Sequence, residues 1–458
     1  MGSAGSRHRR AALVSIGDEL ALGQTLDTNT RWLSDRLFAL GVRSVEHVTV
    51  EDDPARITAA FRRLAAESDV LIATGGLGPT ADDVTREALA AAVRDVLIED
   101  ESALASVRGW FAGRGAEMPA GNAIQAMRPS RGLCLENPNG TAPGLFLRFD
   151  EASCDVFCLP GPPREMEPMF ESAVVPRIRR EEGLAFGARA VLCFGLGESV
   201  VAERLGRLMD RDREGRGLPV VGTTASRMVV SVRLRHTAPT DGEVRAALDD
   251  VESEVGALLG PAVFGRRDFT AGDDTELGDA FPASVIDLLR ERSARLAVVE
   301  SCTGGMLGEL VTAVAGSSDV FAGGWVTYTN EAKTGLVGVD PGVIEAHGAV
   351  SADVALAMAH GGLVRGGFLG GARHCLAITG VAGPGGGSDE KPVGTVWIAR
   401  ASAEADGTIS QEARRFRFRG GRAAVREWSA RSALGILRLH LIGETMALLA
   451  ESERVIAG

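Results

Sequence analysis

Lysine and tyrosine are almost missing from this chain. It has 458 residues and 49 Lys plus Arg, yet Lys333 and Lys391 are its only lysines and Tyr328 its only tyrosine. On a solvated surface either cation serves. A site that needs an amine able to lose its proton cannot use Arg, which stays charged, whereas a buried Lys can be tuned to act as a base. The segment "WVTYTNEAK", Trp325 to Lys333, holds both a Lys and the sole Tyr, and is a candidate for chemistry. The competing reading is that both lysines are leftovers of a drift toward Arg.

Other absences exclude whole classes. No uninterrupted apolar run reaches the roughly 18 residues of a membrane-spanning helix. "MGSAGSRHRR" is basic but no long apolar segment follows it, so residues 1–10 read as a disordered tail rather than a signal peptide. Six cysteines without a CxxC pair suit a reduced, cytoplasmic enzyme. The seven histidines form neither HxxxH nor HExxH. Cys154 and Cys158 sit in the apolar "CDVFCLP" and read as core. Any metal therefore has to be held by carboxylates. A net charge of −12 disfavours phosphate backbones, so direct nucleic-acid binding is not expected.

What is present alternates. The length suggests two to four domains at roughly 100–200 residues each. "AALVSI" (11–16) reads as a strand, the Trp32, Leu33, Leu37 and Leu40 spacing as a helix, and "VEHVTV" (45–50) as a strand. "DDPARITAAFRRLAAES" reads as a helix with Asp53 as N-cap and Pro54 in its first turn. "DVLIATGGLGPT" reads as a strand running into a Gly-rich loop, with "DDVTREALAAAV" the next helix. This βαβαβ order predicts an α/β, mostly parallel sheet with its ligand site beyond the carboxyl ends of the strands. The domain closes near residue 175, after "ENPNGTAPGLFL" and "CLPGPPREMEPMF". A small α+β unit covers about 188–265, and "GRRDFTAGDDTELGD" (265–279) reads as a linker. The last part has strands at "ARLAVVE", "GGWVTYT", "HCLAITG", "GTVWIAR" and "RRFRFR". A long amphipathic helix from Arg422 to Ala450 finishes the chain.

"ESCTGG" ends a strand and opens a helix, which places Ser301 at a helix N-terminus. Backbone N–H groups there can hold an oxyanion or a phosphate. Equally, Ser301 can simply cap the helix. Cys302 lacks a His in a supporting pattern, His347 being the nearest downstream, and reads as a small core thiol. Ser301, Tyr328 and Lys333 form a Ser–Lys hydrolase set. Lys333 must be desolvated or set near positive charge to take the Ser301 proton, and Tyr328 could relay a proton or hold the Lys. "ITGVAGPGGGSDEKPVG" adds Thr379, Gly380, Gly383 and Lys391. Its glycines either let the backbone approach a phosphate or form an ordinary turn, and Lys391 either binds phosphate or pins the loop. In the first domain, Asp18 and Glu19 of "GDE" and Asp82 and Asp83 of "TADD" could hold a hard cation against a pyrophosphate. Asp82 and Asp83 could instead be helix caps. Glu165 is a further carboxylate.

The segments "GDELALGQTLDTNT", "ATGGLGPTADDVTREAL", "NPNGTAPG", "LPGPPREM", "GLGES", "ESCTGG", "YTNEAK" and "ITGVAGPGGGSDEKPVGTV" together resemble the CinA proteins, in family order over nearly the whole chain. Two stretches depart from the family pattern: "MRPSRGLCLE" stands where a "LPGGA"-like run is usual, and "LPGPPREM" has Pro where Val is usual. The resemblance implies three parts. Residues 11–175 are a molybdopterin-binding-like domain that hydrolyses ADP-ribose to AMP and ribose 5-phosphate with a divalent metal. Residues 176–270 are a KH-like domain. Residues 278–458 are an amidohydrolase that converts nicotinamide mononucleotide to nicotinate mononucleotide and ammonia without a cofactor. The family serine, tyrosine, lysine and threonine fall on Ser301, Tyr328, Lys333 and Thr379. Thr303, Gly304, Gly305, Asn330, Gly380, Gly383 and Lys391 are then expected around one substrate, and Asn29, Gly75, Gly76, Gly78 and Thr80 around the other. A cytoplasmic homodimer is implied. Two other readings stay open: an amidase whose first domain only binds a nucleotide or pterin phosphate, and a non-catalytic accessory of DNA uptake or recombination.

Overall fold

The computed structural model describes residues 8–178, 184–210, 217–269 and 277–457. They pack as two compact units. One holds the described residues of Met1–Ala188 with Thr237–Arg245 and Phe269. The other holds those of Arg189–His236, Ala246–Asp268 and everything from 277 onward.

The first unit is built on β1 (Arg10–Ile16), α1 (Asp18–Ala21), α2 (Asn29–Ala39), β2 (Arg43–Val50), α3 (Pro54–Glu67), β3 (Val70–Thr74), α4 (Thr85–Ala92), β4 (Leu97–Glu99), α5 (Glu101–Ala112), β5 (Met127–Pro129), β6 (Leu133–Leu135), β7 (Gly144–Phe149), β8 (Cys154–Leu159) and α6 (Pro163–Met169). Its main sheet runs β2-β1-β3-β8-β7-β6. The first four strands are parallel and the last two antiparallel. β1, β3 and β8 are continuous apolar runs, as strands covered on both faces must be. Leu13, Ile72 and Phe157 face α2 and α6, while Val14, Leu71 and Val156 face α3 and α4. The Asp53 carboxylate accepts the Arg56 N–H at 2.8 Å, as its N-cap position predicts. Cys154 and Cys158 lie fully in this core. Because β2 and β3 flank β1 on opposite sides, the order in which strands are added to the sheet reverses at β1, and a crevice opens above β1 and β3.

The tail expected over 1–10 is shorter. Arg10 already belongs to β1, the Asp69 carboxylate accepts the Arg9 and Arg10 N–H groups at 2.9 Å each, and His8 is buried with Nε2 3.1 Å from Asp155. Residues 1–7 lie outside the described residues.

Next come β9 (Ala185–Phe194), α7 (Glu198–Asp210), β10 (Val220–Ser226), β11 (Val229–Ala238), α8 (Asp241–Leu259) and β12 (Val263–Asp268), most of whose residues belong to the second unit; the strands form a four-stranded sheet of order β10-β11-β9-β12. The stretch expected as a linker from 265 is thus strand as far as Asp268, where β12 pairs with β9. Residues 270–276 lie outside the described residues.

The chain continues through α9 (Leu277–Glu291), β13 (Leu296–Glu300), α10 (Met306–Thr312), β14 (Phe321–Val326), α11 (Asn330–Val337), α12 (Pro341–His347), α13 (Ala352–Gly370), β15 (His374–Gly380), β16 (Thr395–Ala403), β17 (Ile409–Arg417), α14 (Arg422–Leu441) and β18 (Glu451–Ala457). The sheet order is β14-β13-β15-β16-β17-β18, parallel across β14, β13 and β15 and antiparallel beyond. Here β13 is the strand flanked on both sides, by β14 and β15, so the carboxyl end of β13 is the place in this sheet where a ligand site is expected. α13 lies on one face, where glycines let it sit close: a Cβ on Gly362 would meet Val299 Cγ2 at 2.4 Å.

Two expectations are corrected here. The last helix does not finish the chain. It ends at Leu441, Gly443 takes φ +71°, and the chain returns as β18 along β17. Nor is α14 half-solvated: from Ser429 to Leu439 its residues are buried all round. The Arg438 Nη1 there finds the Pro261 carbonyl at 2.6 Å.

Candidate functional sites

At the carboxyl end of β13 the chain turns through residues 301–305 before α10 starts at Met306. Ser301 is therefore not the helix cap. The N-cap position is Gly305, which has no side chain to offer; in its place the buried Glu300 carboxylate accepts the N–H groups of Gly305 and Leu307 at 3.0 Å each and of Gly308 at 2.8 Å. Those donors, expected to be free for an oxyanion or a phosphate, are taken. Among the described residues, the N–H groups of Cys302 and Thr303 donate to no backbone carbonyl. Gly304 (φ +57°) and Gly305 (φ +99°) supply the left-handed backbone this turn needs.

Ser301 Oγ is instead paired with Lys333. Lys333 projects from the first turns of α11, is only 2% exposed, and places Nζ 3.2 Å from Ser301 Oγ while donating to the Thr327 carbonyl at 3.1 Å. Burial pushes the Lys333 amine below the ordinary lysine value; the neighbouring Cys302 and Glu331 act in the other direction. The neutral amine is the form that can take a proton. Cys302, next in sequence, is pushed up to about 12 by burial, so it stays a thiol.

Thr379 stands beside Ser301, because β13 and β15 run parallel with Glu300 opposite Ile378 and the Ser301 N–H on the Ile378 carbonyl. Its hydroxyl donates to the Ala349 carbonyl at 2.7 Å. Tyr328 lies two residues past β14. It is 56% exposed and holds Arg422 Nη2 at 2.9 Å, not Lys333. Asn330 opens α11 on the surface. Thr303 is buried with its hydroxyl unpartnered among the described residues. Lys391 Nζ donates to the His347 carbonyl at 2.8 Å, so it pins the Gly-rich loop. Gly380 is crowded, with a Cβ there 2.9 Å from the Thr395 carbonyl, and Gly383 takes φ +85°.

Two side chains that pattern reading missed converge from α14. Arg422 also donates to the Gly383 carbonyl at 2.8 Å, and Arg426 donates to the Thr303 carbonyl through Nε (3.1 Å) and Nη2 (2.7 Å). Their i, i+4 spacing at the start of the final helix was the available signal.

The crevice of the first unit has a volume of about 540 Å³ and is lined by Asp18's neighbour Glu19, by Asp27, Asn29, Asp52, Gly75, Gly76, Gly78, Asp82, Asp83 and Glu165, among others. Gly75 takes φ +103°, and a Cβ on it would lie 2.2 Å from the Ile16 carbonyl. The fully buried Arg86 guanidinium holds the Leu77 and Gly78 carbonyls and so shapes this loop. Asn29 ties in the opposite rim through the Gly161 carbonyl at 2.7 Å. Asp83 is no helix cap, since α4 starts at Thr85 without a side-chain cap; its carboxylate accepts the Thr80 N–H at 2.9 Å and the Thr80 hydroxyl. Asp82 does not cap the helix either.

Asp52 and Asp27 were missed from sequence. Burial raises Asp52 above the usual carboxylate range, and the charges of Asp18, Glu19 and Asp82 add to it against an opposing hydrogen bond from the Asp18 N–H. Asp27 is opposed by burial, yet is held below the usual range by hydrogen bonds from Thr30, Ser15 and Asn29. Among the described residues, no three His, Cys, Asp or Glu side chains are grouped as a metal cage. The acidic mouth fits a cation of the magnesium type, which takes one or two protein carboxylates and completes its shell with substrate phosphates and water.

Comparison with known proteins covers most of the length, 94% of this chain for the relatives named below. Family models match as "Probable molybdopterin binding domain" over residues 12–180, "Damage-inducible protein CinA KH domain" over 188–265 and "CinA C-terminal domain" over 279–441. The chain is similar to a competence-damage inducible protein of Symbiobacterium thermophilum, with 40% identity over 94% of this chain and 99% of that one. It is similar to a CinA-like protein of Geobacter metallireducens, with 41% identity over 94% and 99%. A crystal structure of CinA from Thermoplasma acidophilum is 32% identical, covers 37% of this chain and 99% of that one, and has a TM-score of 0.35.

Proposed function

Because the chain belongs to the CinA family, we propose that its C-terminal domain deamidates nicotinamide mononucleotide, with Ser301 as nucleophile and Lys333 as its base. One observation carries this reading: a buried, desolvated amine 3.2 Å from a serine hydroxyl that no helix cap occupies. Neutral Lys333 takes the Oγ proton as Oγ bonds to the amide carbon. The oxyanion forms where the Cys302 and Thr303 N–H groups can donate. Lys333 returns its proton to the amide nitrogen, the C–N bond breaks, and ammonia leaves. Water then cleaves the acyl-serine by the same route and releases nicotinate mononucleotide. Arg422, whose two partners are neutral oxygens, is the cation for the 5′-phosphate at the mouth. The test is ammonia release from nicotinamide mononucleotide, run beside free nicotinamide and glutamine. Turnover of the mononucleotide is expected. Turnover of glutamine alone would discard the substrate.

For the first unit we propose ADP-ribose hydrolysis to AMP and ribose 5-phosphate, supported by the acidic crevice beside a Gly-rich loop. One or two of the carboxylates Asp18, Glu19 and Asp82 would hold a divalent cation, which would neutralise pyrophosphate charge. EDTA should stop ADP-ribose cleavage and leave ammonia release intact. Loss of both, with the fold intact, overturns the Ser–Lys mechanism. Metal-supplemented enzyme that binds ADP-ribose without cleaving it reduces this unit to a binding module. We further propose a cytoplasmic homodimer; its assay is mass in solution.

A further inference from the structure

We propose that Glu300 is a positioning residue for Ser301: by closing the N-terminus of α10 with its own carboxylate, it fixes the turn that presents Ser301 Oγ to Lys333 and the Cys302 and Thr303 N–H groups to the reacting carbonyl. The inference rests on the Ser–Lys reading above and adds a part to it.

Four observations carry it. Glu300 is the last residue of β13 and is only 2% exposed. An ionised carboxylate at such depth is costly unless its oxygens are satisfied. Here they are, by three N–H groups of the chain that follows immediately, at 2.8–3.0 Å. A carboxylate suits the positive end of a helix. The same turn is gripped from its other side by Arg426, whose two N–H groups hold the Thr303 carbonyl at 3.1 and 2.7 Å. Residues 301–304 therefore run between two fixed points.

Two functional consequences follow. The first N–H groups of α10 are held by Glu300, and Ser301, which stands before the turn and outside the cap, keeps its Oγ for Lys333. Second, donors already bound to a carboxylate cannot hold the substrate's phosphate, which leaves the Cys302 and Thr303 N–H groups of this turn, among the described residues, for the reacting carbonyl. Glu300 touches none of the reacting atoms and acts through the turn.

The experiment compares wild type with Glu300→Gln. Gln has the same shape but only one accepting oxygen, so its NH₂ must face one of the three backbone donors. Two readouts are taken: kcat and KM for nicotinamide mononucleotide, and the rate and final stoichiometry of Ser301 labelling by a fluorophosphonate ester. In the labelling, the Oγ–P bond forms, fluoride leaves and the proton goes to Lys333. Misplacing a reacting group by about 1 Å can cost on the order of 100-fold. We expect kcat and labelling rate to fall together by roughly 10- to 100-fold, with KM within about twofold and full final stoichiometry. A labelling rate like that of wild type overturns the proposal. So does a loss that follows only a lower labelled fraction, because Glu300 would then serve folding alone. Labelling does not depend on the natural substrate. A wild-type protein that releases no ammonia, yet labels in a Glu300-dependent way, rejects the substrate and keeps the positioning role.

Discussion

Lys333 is the side chain on which the chemistry turns, and its replacement separates two roles. An Arg there keeps the charge but cannot accept the Ser301 proton at neutral pH. Base catalysis contributes about 100- to 10,000-fold, so Lys333→Arg should lose kcat by about that factor with little change in melting temperature. Near-normal kcat with raised KM would make Lys333 a phosphate ligand. The pH profile has a defined sign. The working form is the neutral amine, and burial lowers its proton affinity, so kcat should rise with pH through a group titrating below an ordinary lysine. Ser301→Ala should abolish ammonia release. Cys302→Ser should retain most of it, since the Cys302 thiol is held protonated up to about 12; a folded but inactive Cys302→Ser enzyme would transfer the nucleophile to sulfur.

At the scale of elements, α13 braces the helix that carries Lys333. A Cβ on Gly361 would lie 1.7 Å from the carbonyl of Val337, the last residue of α11. The contact is with backbone, so no rotamer can relieve it. Gly361→Ala should destabilise by roughly 1–3 kcal/mol through overpacking. Calorimetry reads this as a lowered melting temperature, and kcat should fall as α11 shifts; an unchanged Tm would mean that α13 floats free of α11. Many strands and helices were legible because their signals are local: the mostly apolar runs of β1, β3 and β8 and the Asp53–Pro54 helix start; the candidate site was legible from one of only two lysines standing beside the sole Tyr. What stayed hidden depends on long-range pairing. The Glu300 cap competes with a serine one residue away, and composition cannot say which wins. The Tyr328–Arg422 contact joins residues 94 apart. β18 escaped notice because "ESERVIA" is polar, and becomes a strand only by lying along β17, with Arg414 Nη1 on Glu451 at 3.0 Å.

For the whole molecule, acid is the predicted weakness. His374 is buried between the rings and charges of His440, Arg400 and Arg373, and burial first, then those neighbours, lowers it to about 3. Its Nδ1 lies 2.8 Å from Ser402 Oγ. In the unfolded chain a His binds its proton near 6.5. Between that value and about 3, the unfolded state therefore holds more protons than the folded one, and stability falls as pH falls. The loss from this group should approach a few kcal/mol. Urea midpoints measured from pH 7 to pH 4 should drop, and His374→Gln should flatten the slope. An equal slope in the variant would assign the acid sensitivity to other groups.

The scarcity of lysine also makes this protein an unusually sparse target for amine chemistry. Only two side chains can react with an acylating or reductively methylating reagent. One is buried against Ser301, and the other is half-covered and donating to the His347 carbonyl. A lysine-directed protease has still less to cut, because Lys391 is followed by Pro392 and Lys333 lies within α11. Under native conditions modification located at Lys391 therefore reports on the Gly-rich loop. Modification located at Lys333 reports that α11 has opened, which turns the chain's compositional bias into a direct gauge of exposure at the reactive centre.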